Sequence, residues 1–416
     1  MEPINSSFRS RFHSLSLGMV ALFLVISIIL FPEQAFQSSL KGLKVWWDVV
    51  FPALLPFFIA SEIMMGFGVV HFLGVLLEPL MRPLFRVPGA GAFVMAMGLA
   101  SGYPIGAKLT ARLREQELIT RTEGERLVSF TNTADPLFMF GAVAVGFFHD
   151  ATLGIIIAIA HYISSLIVAF MMRFHEPHGP ATPPPEPDPT FVLFRAFREM
   201  HHARLKDGRN FGQLMGEAIH SSIQTLLLIG GFLIMFSVLI EVLKQAGITE
   251  LFSSVIGGLL TLVQFPSELS GSIIAGVFEI TLGAQAASQL PNSIHMAYKI
   301  AIVGAVTAWS GFSVHAQVAS ILSKTDIRYT PYCLARILHG IIACWITLLL
   351  WNPVGDYIQS NSTSVPAFFQ EYPVTGWDSI AKQISFFGWK MVSIVLILVL
   401  LSIFIRFIHQ IRTKQF

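Results

Sequence analysis

The sequence predicts an all-α polytopic membrane protein with about eight transmembrane helices and two re-entrant helical hairpins arranged as an inverted repeat. Three observations carry that reading. Of 416 residues, 54% are hydrophobic and 12% are charged, whereas a soluble globular chain carries ~25% charged residues to cover its surface. Apolar runs at 15–31, 49–66, 226–240, 333–351 and 391–407 approach the ~20 residues a helix needs to cross a bilayer. Basic residues fall into five clusters, which fix an orientation if every cluster lies on the cytoplasmic side.

The first apolar run follows Arg9 and Arg11 and continues into Phe31, Pro32, Glu33 and Gln34 without a small-x-small cleavage site. It reads as a retained anchor in a region spanning 1–40. The second basic cluster is Lys108, Arg112, Arg114, Arg121 and Arg126. The third lies in the central linker, the fourth is Lys324, Arg328 and Arg336, and the last is Arg406, Arg412 and Lys414. Spans near 15–32, 48–66, 127–148, 151–172, 218–243, 298–323, 329–351 and 386–408 place all five inside, with both termini cytoplasmic. That holds only if segments around 90–108 and 270–292 enter the membrane without crossing it. The first then enters from the cytoplasm and the second from outside.

A central segment, 174–215, differs from the rest. Residues 175–189 are rich in proline and cannot be helical. Residues 191–209 mix Phe, Leu and Met with Arg195, Arg198, Arg204, Lys206 and Arg209, which reads as a basic amphipathic stretch on the cytoplasmic lipid surface. His175, His178, His201 and His202 have no sequence feature that fixes a ligand geometry, so no metal site is read there. The linker separates a first repeat, 41–173, from a second, 216–352; an external loop and a final transmembrane helix occupy 353–416.

The halves match in three places, in the same order. Gly68-Val-Val-His-Phe-Leu pairs with Gly247-Ile-Thr-Glu-Leu-Phe, Gly102-Tyr-Pro-Ile-Gly-Ala-Lys with Glu279-Ile-Thr-Leu-Gly-Ala-Gln, and Asn132-Thr-Ala-Asp-Pro-Leu-Phe with Thr307-Ala-Trp-Ser-Gly-Phe-Ser. Repeated halves of this kind are the architecture in which transporters place a site at the repeat interface.

Ionisable groups inside apolar runs are costly and call for a partner or a task. Four stand out: Lys108, Asp135, Glu279 and His315. Pro136 removes a backbone donor and disfavours helix at Asp135, and Gly311 loosens the equivalent point of the second half. Half-helix N-termini at such breaks offer N–H groups and positive partial charge to an anion. The candidate solute-site residues are Gly102, Tyr103, Pro104, Gly106 and Lys108 around the first hairpin, and Asn132, Thr133 and Asp135 around the first break, some of them resting on the resemblance given below. Glu279, Thr281, Gly283 and Gln285 come from the second hairpin, and Ser310, Gly311, Ser313, His315 and Gln317 from the second break. Lys108 suits a point charge and Tyr103 a stacking face. Lys108 reads equally well as the first charge of the basic loop, and His315 as a packing residue. Trp46, Trp47, Trp351 and Trp377 read as interfacial anchors. Glu62, Glu78 and Glu241 read as helix ends or polar contacts between helices.

Cys333 and Cys344 fall on one helix, about 16 Å apart at ~1.5 Å per residue, too far for a disulfide. No phosphate-binding loop, His-Glu-x-x-His, nucleophile elbow or Cys-x-x-Cys occurs, so neither an enzyme, an ATP-driven pump nor a bound cofactor is expected. The formal net charge of +2 implies no nucleic-acid partner. Self-association into a homo-oligomer and coupling to Na+ or H+ are left open. Asn361-Ser-Thr is a sequon in the external loop.

At Gly102-Tyr-Pro-Ile-Gly-Ala-Lys, Glu125-Arg-Leu, Phe130-Thr-Asn and Asp135-Pro-Leu-Phe the chain resembles the YlbJ-type sporulation integral membrane proteins, within the nucleoside-recognition, or gate, domain superfamily. Gly276-Val-Phe-Glu-Ile-Thr-Leu-Gly and Trp309-Ser-Gly-Phe-Ser-Val-His-Ala-Gln resemble the second gate repeat. The likeness covers about residues 40–350, and it implies functional positions at Gly102, Pro104, Gly106, Lys108, Asn132, Asp135, Glu279, Gly283, Ser310, Gly311 and Gln317. It implies a fold similar to the concentrative nucleoside transporters and residence in the bacterial cell membrane. It also implies a part in spore cortex formation through movement of dipicolinate, a planar pyridine dicarboxylate. The function expected is a transporter or channel for a small organic anion. The alternatives are an ion-coupled nucleoside transporter and a non-transporting scaffold for cortex assembly.

Overall fold

The computed structural model describes residues 15, 18–19, 21–183, 191–360 and 400. The predicted last span at 386–408 (apart from residue 400), the sequon and Trp377 lie outside them. Every regular element among the described residues is a helix, with no strand among them. Five helical stretches are long and apolar enough to cross a membrane: Pro32–Gly66, Thr152–Met172, Phe211–Gln245, Met296–Leu322 and Tyr329–Val354. A sixth arises if Val69–Phe85 and Ala90–Ser101, bent by 108°, form one span.

Four of these stretches coincide with the expected spans at 151–172, 218–243, 298–323 and 329–351, while the bounds differ on the N-terminal side. The anchor contains a ten-residue helix, α1 (Ala21–Leu30), and the next apolar stretch starts earlier than expected. α2 (Pro32–Val45) runs through a π-helical turn into α3 (Phe51–Gly66). The expected span 127–148 is not one helix. It is α7 (Arg121–Thr131), a break, and a π-helical segment, Phe138–Phe147. Asn132 leaves helical geometry at φ −88°, ψ 78°, and Pro136 cannot supply the amide that would carry the helix across.

The two halves run through the same order of elements. In the first, α3 is followed by a turn at Gly68, whose φ of +76° needs glycine. Then come α4 (Val69–Leu80), α5 (Ala90–Ser101), α6 (Ile105–Glu115), α7, the π-helical segment and α8 (Thr152–Met172). After α9 (Val192–Asp207), the second half has α10 (Phe211–Gln245), a turn at Gly247 with φ +71°, and α11 (Ile248–Leu262). It continues through α12 (Ser270–Phe278), α13 (Ile280–Ser288), α14 (Met296–Trp309), α15 (Gly311–Leu322) and α16 (Tyr329–Ser360). Each half thus holds a helix-break-helix hairpin followed by an interrupted helix. The three sequence matches fall at three structurally paired points: the glycine turn, the hairpin break and the helix interruption.

The halves pack together through α16 against α7 and α8, α15 against α6, and α13 against the π-helical segment. A core shared by both contains Val50, Met139, Val143, Leu226, Leu233, Ile300 and Val303. Glycines permit the tightest approaches. A Cβ on Gly98 or Gly106 would collide with the Thr131 carbonyl, and one on Gly283 with the backbone of Gly276. The first hairpin is thereby pressed against the end of α7, and the two arms of the second against each other.

Part of the expected linker is ordered. Thr182 donates through its amide and hydroxyl to Glu123, and Arg82 donates to the carbonyls of Thr182 and Pro183. The basic stretch forms α9 as expected. It docks on α4, with Val192 and Ala196 against Phe72 and Leu76 and Arg195 paired with Glu78. Phe194 is exposed, and Phe197 is partly covered by the Phe72 ring, 4.9 Å away. Trp46, expected at the interface, is instead buried, and its indole donates to the Leu226 carbonyl at 2.8 Å. Trp47 is exposed.

Candidate functional site

The two hairpin breaks and the first interruption meet at a cavity of about 90 Å³. Tyr103 and Pro104 come from the first hairpin, Glu279 and Thr281 from the second, and Asp135 from the first interruption; Ser313 and Gln317 reach it from α15. Apolar walls are supplied by Leu54, Phe58, Phe138, Ile229 and Phe232. That space is on the scale of a few water molecules.

Each carboxylate sits at the start of a half-helix. Asp135 Oδ1 accepts from the Phe138 amide at 2.7 Å, and Glu279 Oε2 accepts from the Leu282 amide at 3.0 Å. Thr281 Oγ1 donates to Glu279 Oε1 at 3.2 Å. Both residues are 5% exposed. An acidic cap satisfies otherwise orphaned N–H groups and matches the positive end of the helix dipole. This alters the expectation that bare half-helix N-termini receive an anionic solute, because the protein's own carboxylates already occupy them. A cavity walled by two carboxylates favours a cation, or a solute whose negative charge arrives compensated.

The remaining predicted residues divide by role. Asn132 donates from Nδ2 to the Tyr332 hydroxyl at 2.9 Å and accepts from the Ala107 amide at 3.4 Å, tying the first interruption to α16 and α6. Ser310 has φ +76° and its hydroxyl lies 3.4 Å from that of Tyr332. Gly311, at φ +70°, sits against the Phe278 carbonyl and Glu279 Cα, so the second interruption touches the second hairpin break. Gly102 packs on the Asp135 carboxylate. Thr133 is buried with its hydroxyl unpaired. His315 Nδ1 lies 2.5 Å from the Tyr329 hydroxyl and Nε2 3.0 Å from the Trp309 carbonyl, with the ring stacked on Trp309. That is the packing reading of His315. Lys108 is exposed on α6 and does not line the cavity; Gly106, Gly283 and Gln285 also lie off its wall.

Sequence reading missed the polar ladder on α16. Tyr332, Arg336 and His339 are all fully buried. Arg336, expected as a cytoplasmic loop charge, donates to the Asn132 carbonyl at 3.0 Å and the Ala308 carbonyl at 3.5 Å, and to that of Ser129. His339 Nε2 lies 3.0 Å from the His161 carbonyl, and His161 Nε2 accepts from the Ala134 amide at 3.3 Å. Their spacing of four and three residues within an apolar run was the available signal, since it puts all three on one helix face.

A second polar cluster joins the halves away from the cavity. Arg328 forks onto Glu125 with two contacts of 2.7 Å and reaches Glu176 at 2.5 Å. His175 Nε2 is 2.6 Å from Glu125, and Thr122 donates to Glu176 at 2.8 Å. Burial pushes the Glu125 carboxyl up, but the Arg328 and His175 hydrogen bonds outweigh it and hold it below the usual range. Glu176 is pulled down to about 2 by the Thr122 and Arg328 hydrogen bonds. Glu125, His175 and Glu176 are close enough to share a metal ion, so His175 has a geometry the sequence did not disclose. Arg328 already saturates the two carboxylates, which makes the set an ion-pair network.

An all-helical membrane protein with several apolar helices and two broken hairpins beside a cavity belongs to the polytopic membrane class. The chain matches the Gate family, described as nucleoside recognition, over residues 47–175 and 226–325. It is 49% identical over 348 residues to the sporulation integral membrane protein YlbJ of Bacillus subtilis (strain 168), covering 83% of this chain and 84% of that protein. It is 29% identical over 155 residues to an uncharacterized protein of Alkalihalophilus pseudofirmus, covering 35% of this chain and 33% of that one. No solved structure matches. The chain belongs to the Gate family of membrane proteins, and within it to the YlbJ group.

Proposed function

We propose that the protein is a transporter or facilitated channel for a small organic anion that moves together with a compensating cation or proton. The observation that carries this is the convergence of Tyr103, Asp135, Glu279 and Thr281, from three chain breaks, on one buried cavity. Broken backbone at membrane depth is tolerated where it lines a solute path. On this reading the two halves are related by inverted topology, with hairpins entering from opposite faces and both termini cytoplasmic, as the basic clusters of the sequence imply. The cavity holds only a few waters, so an aromatic solute enters only when the hairpins part.

Dipicolinate is the sharpest candidate. The Bacillus subtilis relative is a sporulation integral membrane protein, the Tyr103 ring offers a stacking face, and Thr281, Ser313 and Gln317 offer polar contacts. A nucleoside is the second reading, favoured by the description of the matching family and by a carboxylate-lined site that accepts neutral hydroxylated solutes. Purified protein in proteoliposomes separates the two. Uptake of dipicolinate, enhanced by an inward proton or sodium gradient and not competed by uridine, is the expected result. Uptake of uridine without dipicolinate overturns the anion reading.

A further inference from the structure

We infer that Arg336 is the positioning residue that sets both helix interruptions at once and so couples the two halves of the cavity. The inference rests on the transport reading for its functional consequence, and on hydrogen bonding alone for its structural part. Arg336 is 0% exposed, and among the described residues no carboxylate pairs with it. Its partners are backbone carbonyls at the ends of two helices: Ser129 and Asn132 at the end of α7, and Ala308 at the end of α14. The last carbonyls of a helix have no partner within it and carry about −0.5 of a charge. Two such ends on one guanidinium balance a buried cation that would otherwise be expensive.

One turn earlier Tyr332 repeats the pattern, meeting Asn132 from the first interruption and Ser310 from the second. α16 therefore grips both breaks at two successive levels. Asp135 follows the α7 end by a few residues, and Ser313 follows the α14 end, and both line the cavity. A shift of either end relative to Arg336 moves a cavity wall. The planar fork of arginine reaches several carbonyls in fixed directions, whereas a lysine ammonium is a point charge on a flexible stem. The role assigned is geometric, so lysine should not replace arginine.

The test uses hydrogen–deuterium exchange on the full-length protein in nanodiscs, comparing wild type with Arg336→Lys and Arg336→Gln. Amides at 129–138 and at 306–314 should exchange faster in both variants by about ten-fold or more, the scale of one lost charge-assisted hydrogen bond. Those of α11 should be unchanged. Opening of one interruption alone, or wild-type protection in Arg336→Lys, overturns the proposal. If neither variant folds, the wild type still decides: the two interruptions should open as one unit, and opening rates differing by more than about ten-fold overturn the coupling. Dipicolinate uptake by the same preparations reads the consequence separately. A wild type that moves no solute defeats the transport reading and leaves the exchange result standing.

Discussion

Glu279 combines burial, a cap on the N-terminus of α13 and a place on the cavity wall. Gly106 illustrates a different residue-scale demand, since it exists to let the first hairpin touch the Thr131 carbonyl. Gly106→Ala inserts a methyl into that contact and should cost about 1–3 kcal/mol by overpacking, read as a lowered thermal unfolding midpoint in detergent. Tyr103→Phe removes the 2.9 Å hydrogen bond to the Thr307 carbonyl. It should cost about 0.5–1.5 kcal/mol in the same assay while leaving the ring in the cavity. At this scale the sequence was legible where a residue was out of character. Glu279 and Asp135 stand out against apolar neighbours and do line the cavity, and Gly102 packs on the Asp135 carboxylate. Lys108 stood out equally and does not line the cavity, because a charge near a helix end looks the same from sequence whether it turns inward or outward. Arg336 was misplaced for the same reason in reverse.

Among elements, the hairpins and interruptions were visible as glycine, proline and charge inside apolar runs. The break between α7 and the π-helical segment was visible as Asn132 to Pro136. The π-helical turns were not visible, because no residue type marks them, and neither was the docking of residues 175–183. Proline there excluded helix, but nothing local revealed that Thr182 would find Glu123 or that Arg328 would cross from the second half to Glu125. That cluster makes two predictions. Arg328→Ala leaves buried Glu125 without its forked partner and should destabilise the junction by about 1–3 kcal/mol, measured as faster exchange at 175–183. The Glu176 carboxyl is lowered from 4.5 to about 2, so its contribution is complete above pH 4.5 and is lost as pH falls toward 2. Protection of the same segment should decline over that window.

For the whole molecule, the repeat was legible because three short matches kept their order and spacing. Among the described residues five helical stretches are able to cross, or six with the pair bent near Pro88 counted as one span, and hydropathy alone does not distinguish a crossing helix from one broken by Asn132 and Pro136. The central claim is that the solute passes through the cavity between the halves. Dipicolinate flux into proteoliposomes carrying wild type or Glu279→Gln, at matched amounts of folded protein, tests it most directly. Glu279→Gln keeps the shape but removes the charge and the charge-assisted cap on α13, worth about 1.5–3 kcal/mol, which corresponds to ten-fold or more in rate. The account predicts saturable, gradient-dependent uptake by the wild type that falls by that factor in Glu279→Gln. Equal uptake by the two proteins, or none by the wild type, would contradict it.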